Sequence, residues 1–251
     1  MSAFFEPIQL WIDQTFVNPP PHGFFNFNFL PKYGSLFIQG VECTLLLAVV
    51  SVLLAVLPAL LLALMRLSKN RFIKGLSGAY ITVFRSTPLL VQLMIINFGL
   101  FSNFNSRYML FGFIPMLYFV PCVVALALNS SAYVAEIFRA GILAVDAGQM
   151  EAARSLGLSK WQGMKMVVLP QAIKNVLPAL ANEIITMVKE SSICMMLGIC
   201  DLMFAAKSTA GSTWISTGPY VLVAIIYFAI NFPAGKAVEA VERRMRRGDV
   251  R

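Results

Sequence analysis

TLLLAVVSVLLAVLPALLLALM, residues 44–65, contains no charged side chain. The hydrocarbon core of a bilayer is crossed by roughly 20 mostly apolar helical residues, so this stretch reads as a transmembrane helix, extending over about 36–65. Working outward, four further segments suit a crossing: 81–101, 113–138, 177–200 and 219–235. The fourth is the least apolar and carries Glu183, Lys189 and Glu190. The chain of 251 residues is 58% hydrophobic and only 13% charged. An ordinary soluble domain is about half apolar and a quarter charged, so this balance excludes disorder and argues against a soluble globule. The expected class is an all-α integral membrane protein with five transmembrane helices.

The formal charge is +8, from 20 Lys and Arg against 12 Asp and Glu. Its placement gives the orientation. Arg66, Lys69, Arg71 and Lys74 lie between the first two spans, and Arg139, Arg154, Lys160, Lys165 and Lys174 between the third and fourth. Lys236, Arg243, Arg244, Arg246, Arg247 and Arg251 follow the fifth, whereas Lys32, Arg107 and Lys207 are the basic residues of the opposite side. Cytoplasmic loops collect Lys and Arg. The N-terminus is therefore expected outside and the C-terminus in the cytoplasm, and an odd number of spans satisfies that split. The basic excess is a topology signal rather than a mark of nucleic-acid binding.

Three regions follow: an extracytoplasmic or interfacial segment 1–35, a transmembrane domain 36–235 with a cytoplasmic loop 142–175, and a basic tail 236–251. In the first, Phe24, Phe25, Phe27 and Phe29 suit the headgroup zone, and the prolines between 19 and 31 preclude a regular helix. Cys43, Cys122, Cys194 and Cys200 stand in apolar runs without C-x-x-C spacing, and His22 is the single histidine. Neither a disulfide framework nor a metal site is expected.

The loop 142–175 is too polar to cross and too rich in helix formers to be slack. It contains GQMEAARSLGLSKWQGMKMVVLPQA, residues 148–172. The stretch 151–156 favours a short helix with Ala152 and Ala153 as a small face. Gly157 suits the left-handed position that ends it, a second helical piece starts near Ser159, and Pro170 is expected to bend the chain at the membrane. On these residues alone, a helix–Gly–helix elbow that seats in another protein's groove and a plain amphipathic interfacial helix both stay open.

The pattern EAA-x3-G-x9-V-x-L-P, from Glu151 to Pro170, resembles the EAA loop of ABC-importer permeases, with Val167 where Ile is usual. FRSTPLLVQL (84–93), LNSSAYVAEIFRAGI (128–142), LPQAIKNVLPALANEII (169–185) and KESSI (189–193) are similar to the polar amino-acid permease subfamily. The resemblance covers about 34–232. It implies the type I ABC-importer permease fold and a transmembrane subunit that moves polar or cationic L-amino acids across the bacterial inner membrane. The implied partners are two ATPase subunits, a second permease that is identical or related, an extracytoplasmic solute-binding protein and membrane lipid. It further implies that Glu151, Ala152, Ala153 and Gly157 dock the ATPase. No cofactor is expected on this chain. ATP and Mg would belong to the partner, in keeping with the lack of a G-x-x-x-x-G-K-[ST] loop here; the chain is not itself expected to be an enzyme.

Charges inside spans cost a few kcal/mol or more unless paired. Arg85 is expected to be neutralised by Glu136 or Glu183 near the cytoplasmic boundary, as a structural pair or gate, with Lys189 a further intramembrane charge. Asn129, Ser130, Tyr133, Glu183, Glu190, Ser191 and Ser192 form polar stripes on the third and fourth helices and are candidates for the substrate path. Packing at the end of the fourth helix is the competing role for Lys189, Glu190 and the two serines. Three other classes compete: a five-helix secondary transporter, which would show related halves; a membrane enzyme, for which the best carboxylate pair, Glu183 and Glu190, lacks a metal-ligand or nucleophile companion; and a structural membrane subunit without ATPase coupling.

Overall fold

The computed structural model describes residues 25–246. Helix α1 (Leu30–Arg66) opens with a proline in its first turn and is apolar on all sides. Its inward seam is made of small residues at helical spacing, with Gly40, Thr44, Ala48, Ala55, Ala59 and Ala63 buried, while Leu53, Leu57, Leu61 and Leu64 face outward. Membrane helices gain little from hydrophobicity alone, because lipid is equally apolar; close backbone approach through small residues holds them together. The seam packs against α4 (Met116–Leu143), itself lined by Ala125, Ser130, Ala132 and Ala135.

Between these two helices the chain is broken. Helix α2 (Arg71–Ser86), capped by the Asn70 side chain, meets α3 (Leu89–Ile95), which continues as a π turn over Ile96–Leu100, at 108°. A two-residue hairpin, β1 (Met109–Leu110) against β2 (Ile114–Pro115), precedes α4. After α4 come α5 (Ala147–Ser155), α6 (Lys160–Gly163), a π turn at Met164–Val168 and α7 (Leu169–Glu190), extended by a 3-10 turn through Ser191–Leu197. Helix α8 (Leu202–Thr213) leaves that run at 48°, and α9 (Gly218–Arg246) ends the described chain.

Three helices, α1, α4 and α9, are by themselves long and apolar enough to cross a membrane, and there are five crossings if each bent pair counts as one. The contacts fix their relative directions. Cys43–Val52 cluster with Cys122–Leu126, Ala59 clusters with Ala132 and Ala135, and Arg66 reaches Glu136, so α1 and α4 run parallel. Leu180 lies at the level of Ala59, whereas the Leu202 N–H donates to Thr44 Oγ1 at 3.2 Å, so α7 runs the other way. Val223 packs near Phe29 and Phe37, and Glu242 shares a cavity with Lys174, which returns α9 to the direction of α1.

Several sequence expectations change. The second span is two helices, because Pro88 lacks an N–H and holds Thr87 extended. The fourth begins far upstream of residue 177: the helical run is continuous over Lys160–Leu197. Pro170 does not end the helical run; it stands in the first turn of α7, just after the π turn, where its missing N–H is tolerated. Phe29, expected in the headgroup zone, is instead a core residue of the α1/α8/α9 cluster, packed with Phe37; Phe24, His22 and the stretch before them lie outside the described residues, as do Arg247 and Arg251.

Gly40 marks the tightest seam. A Cβ there would stand 3.1 Å from the Asp201 carbonyl oxygen and from the Leu202 N and Cα, all backbone atoms that cannot rotate away. Gly40→Val is expected to cost ~1–3 kcal/mol through overpacking and to lower the thermal unfolding midpoint of the purified protein, read by intrinsic fluorescence; an unchanged midpoint would contradict this packing.

Candidate functional site: the elbow and the broken spans

Helix α5 starts at Asp146, whose Oδ1 accepts the Gly148 N–H at 2.6 Å. It ends in a Schellman closure: the Leu158 N–H donates to the Ala153 carbonyl at 3.1 Å, and the Gly157 N–H to the Arg154 carbonyl at 3.0 Å. Gly157 has φ +86°, a conformation that glycine adopts without a Cβ penalty. Ser159 and Gln162 form a reciprocal capping box that starts α6 at once. Local hydrogen bonds thus end one short helix and start the next within four residues.

The packing between them sorts the motif. Ala153 is 3% exposed and faces Gly163, where an added Cβ would meet Ala153 Cβ at 3.4 Å and Met150 Sδ at 2.9 Å. Ala153 therefore holds the elbow together and does not present itself outward, a correction to its expected role as a docking contact. Glu151, Ala152 and Gly157 are exposed, joined by Leu156 at 84% and Trp161 at 73% exposure. An apolar leucine and an indole held outward on a closed turn form a knob whose apolar area is at present unburied.

Inside the bundle, the α2/α3 break is bracketed by side chains. Gln92 Nε2 donates to the Phe84 carbonyl at 2.8 Å, the Thr87 carbonyl at 3.0 Å and Thr87 Oγ1 at 2.8 Å. Asn129 Nδ2 donates to Gln92 Oε1 at 2.9 Å and to the Phe84 carbonyl at 3.4 Å. Asn129 is buried and committed to this bracket, not lining a path. Ser130 Oγ donates to Glu183 Oε1 at 2.8 Å, which brings two of the expected path residues together across α4 and α7. Ser191 is buried and bonds the Val188 carbonyl of its own helix, Ser192 and Glu190 are half-buried, and Lys189 is exposed.

The expected Arg85 pair does not form. Glu136 is held by Arg139 at 2.8 Å, one turn along the same helix, with Arg66 Nε at 3.9 Å. Glu183 is on Ser130. Arg85 instead lies 5.2 Å from the centroid of the Tyr133 ring, a cation–π contact. An i,i+3 arginine reaches its carboxylate without ordering a second element, which is why Arg139 prevails. Lys189, higher on α7, joins neither group. Among the described residues no cluster of His, Cys, Asp or Glu could hold a metal ion.

Residues 51–247 match the family described as "Binding-protein-dependent transport system inner membrane component". The chain belongs to that family. It is 40% identical over 212 residues to the arginine transport system permease protein ArtQ of Bacillus subtilis, covering 84% of this chain and 93% of that protein. It is 38% identical over 222 residues to a putative glutamine transport system permease protein GlnP of Rickettsia bellii, covering 87% and 98%. Among solved structures it superposes on an amino acid ABC transporter crystallised with histidines, at TM-score 0.78 and 45% identity, over 87% of this chain and 98% of that one. The chain has the helical fold of the ABC-importer membrane permeases.

Sequence reasoning missed four residues that organise this permease. Leu156 and Trp161 read as ordinary apolar residues of short helices, and only the closure at Gly157 turns them outward. Gln92 gave no signal beyond its position four residues after Pro88. Asp201, fully buried, caps α8 by accepting the Phe204 N–H at 2.8 Å; an Asp just before an apolar run is the pattern that announces such a cap. Gln92→Leu would strip the Phe84 and Thr87 carbonyls of their donor at about 1–3 kcal/mol per group. The variant is expected to show a lowered thermal midpoint and faster proteolysis at the break, mapped by mass spectrometry; wild-type behaviour in both would refute the bracket.

Proposed function

We propose that this permease imports a polar or cationic L-amino acid across the bacterial inner membrane, with the N-terminus outside, the C-terminus in the cytoplasm and five crossings. A separate ATPase docked on the elbow drives the cycle. The observation that carries this reading is the elbow itself: a knob of Leu156 and Trp161, flanked by Glu151, Ala152 and Gly157, locked by the Schellman closure and joined without a break to a helical run ending at Leu197. A plain interfacial helix has no use for a closed turn of this kind. The fifteen basic residues named above as cytoplasmic support the orientation, and the antiparallel alternation of the helices agrees with an odd count.

The assembly proposed is two such permeases, identical or related, on two ATPase subunits that bind ATP and Mg, receiving substrate from an extracytoplasmic binding protein. The exposed apolar face of α9 supports burial against a second permease or lipid. The substrate class is supported by the relatives named for arginine and glutamine transport, and by the carboxylate of Glu183. That group accepts from a serine hydroxyl and pairs with no basic side chain among the described residues, so its charge is left to attract a cation.

Docking is tested by co-expressing the permease with its ATPase and measuring what co-purifies. Gly157→Val, which forces a β-branched residue to positive φ, and Leu156→Glu are each expected to lose most of the ATPase while the permease still enters the membrane. Ala153→Leu should do the same by prying α5 from α6. Full retention in all three would remove the elbow as the docking site. Glu183→Gln separates transport from docking: uptake of arginine in proteoliposomes is expected to fall roughly tenfold or more, the scale of one hydrogen bond to a charged group, with ATPase retention intact. Unchanged arginine uptake would take Glu183 off the substrate path.

A further inference from the structure

Asp201 stands at the break between the Lys160–Leu197 run and α8, and its side chain is fully buried. One carboxylate oxygen, Oδ1, accepts the Phe204 N–H at 2.8 Å and caps α8; the other, Oδ2, has no hydrogen-bond partner. Among the described residues no basic side chain meets it. Its ionisable neighbours are Cys43 of α1, Cys194 and Cys200 around the break, and Tyr227 of α9, and none of these carries positive charge. Two further oxygens stand at the same place. Thr44 Oγ1 lies against the Asp201–Leu202 peptide, where it accepts the Leu202 N–H at 3.2 Å. The buried Tyr227 hydroxyl faces both Asp201 and Thr44, yet it too has no hydrogen-bond partner.

We propose that Asp201, Tyr227 and Thr44 hold a sodium ion. A carboxylate shut away from water without a counter-charge is strongly disfavoured, and one monovalent cation cancels it. A proton on Oδ2 would need an acceptor at hydrogen-bond distance, and a tyrosine donating to Oδ2 would need the same approach; neither is present. Facing oxygens that do not bond one another are spaced for something held between them. Water would bridge them but would leave the charge in place. The ligand set is one carboxylate and two hydroxyls, the hard oxygen donors that suit an alkali cation. A divalent ion would be only half neutralised. In membrane proteins the ends of broken helices are recurrent cation sites, and the 3-10 turn Ser191–Leu197 ends just before Asp201. The backbone approach of 3.1 Å at Gly40 leaves little room there, which favours sodium over the larger potassium. The ion joins α1, the break and α9, and it is independent of ATPase docking and of the transported substrate.

The test uses the full chain with its ATPase in nanodiscs and two measurements. One is equilibrium binding of sodium-22. The other is the thermal midpoint of the permease, followed through a tag on it, in chlorides of sodium, potassium or N-methylglucamine at equal ionic strength. The wild type is expected to bind sodium-22, and its midpoint to rise with the logarithm of sodium concentration and less in potassium. Asp201→Asn keeps an oxygen for the Phe204 N–H, so α8 stays capped, but it removes the charge; both sodium signals should be lost. Tyr227→Phe should weaken sodium binding about tenfold, the scale of one hydroxyl contact to a charge. Glu42→Gln, exposed two residues from Thr44, should change neither signal. No sodium-22 on the wild type, with equal midpoints in all three salts, would overturn the site and leave Asp201 a neutral acid. A sodium-dependent rise that survives in Asp201→Asn would mean a general salt effect and would overturn it as well. An equal rise in potassium would overturn the choice of sodium. If Asp201→Asn is not recovered folded, Tyr227→Phe decides, since unchanged sodium affinity in that variant removes the site.

Discussion

A helix that stops inside hydrocarbon leaves carbonyls and N–H groups with no water to bond, at several kcal/mol for each group left bare. The helices of this chain break twice, after Ser86 and after Leu197, and the arrangement of the bundle follows from how each stop is satisfied. At the first, Gln92 and Asn129 supply the donors that Pro88 took away. At the second, Gly198 turns at φ +86° and Asp201 caps the next helix with one carboxylate oxygen. Each repair reaches beyond its own segment. Asn129 comes from α4, and the Leu202 N–H needs Thr44 of α1. The breaks are therefore stable only in the assembled bundle, and they fix where α4 and α1 must sit.

The small-residue seam of α1 serves the same constraint. Gly40 lets the Asp201–Leu202 backbone come within 3.1 Å of where a side chain would begin, which is what puts Thr44 in reach of an N–H. Farther along, Ala59 and Ala63 let α2 and α4 close on α1, so that Ser77 Oγ donates to the Leu62 carbonyl at 2.7 Å and Tyr80 bonds across to α4. Bulky residues on this face would separate the helices and strand the polar groups at both breaks. Leucines on the opposite face carry no such demand, and they are exposed.

Which parts could be read beforehand follows from the range of each interaction. The apolar segments were visible because membrane thickness sets their length, and Gly157 was visible because a left-handed helix end is a local requirement. Ser130 and Glu183 share depth and polarity on their stripes, and the structure brings their side chains into contact. Arg85 was misassigned: three basic side chains compete for Glu136, and only the structure shows that Arg139, preplaced on the same helix, prevails. Ala153 was misread for a related reason. In a nine-residue helix with two adjacent alanines, composition does not say which faces inward, and the answer lies ten residues away at Gly163. The single span expected over 81–101 passes over Pro88, the local cause of the bend at Thr87, and the partners of that bend depend on Asn129, more than forty residues later.

The elbow and the breaks divide the permease into parts of different stiffness. From Lys160 to Leu197 the backbone is helical throughout, widened at 164–168 but not interrupted. At about 1.5 Å per residue, that length carries Trp161 near one end and Gly198 just past the other. The elbow is tied to the base of this rod as well, since Gln171 Nε2 donates to Gln149 Oε1 at 3.3 Å. Glu183 rides on the same rod, and Ser130, its partner, is on α4, next to the bracket that holds the α2/α3 break. The Ser130–Glu183 bond is thus a contact between a continuous helix and the helix that anchors a broken one. That contact is a single hydroxyl–carboxylate bond, whereas the bracket around Gln92 holds the α2/α3 break with five.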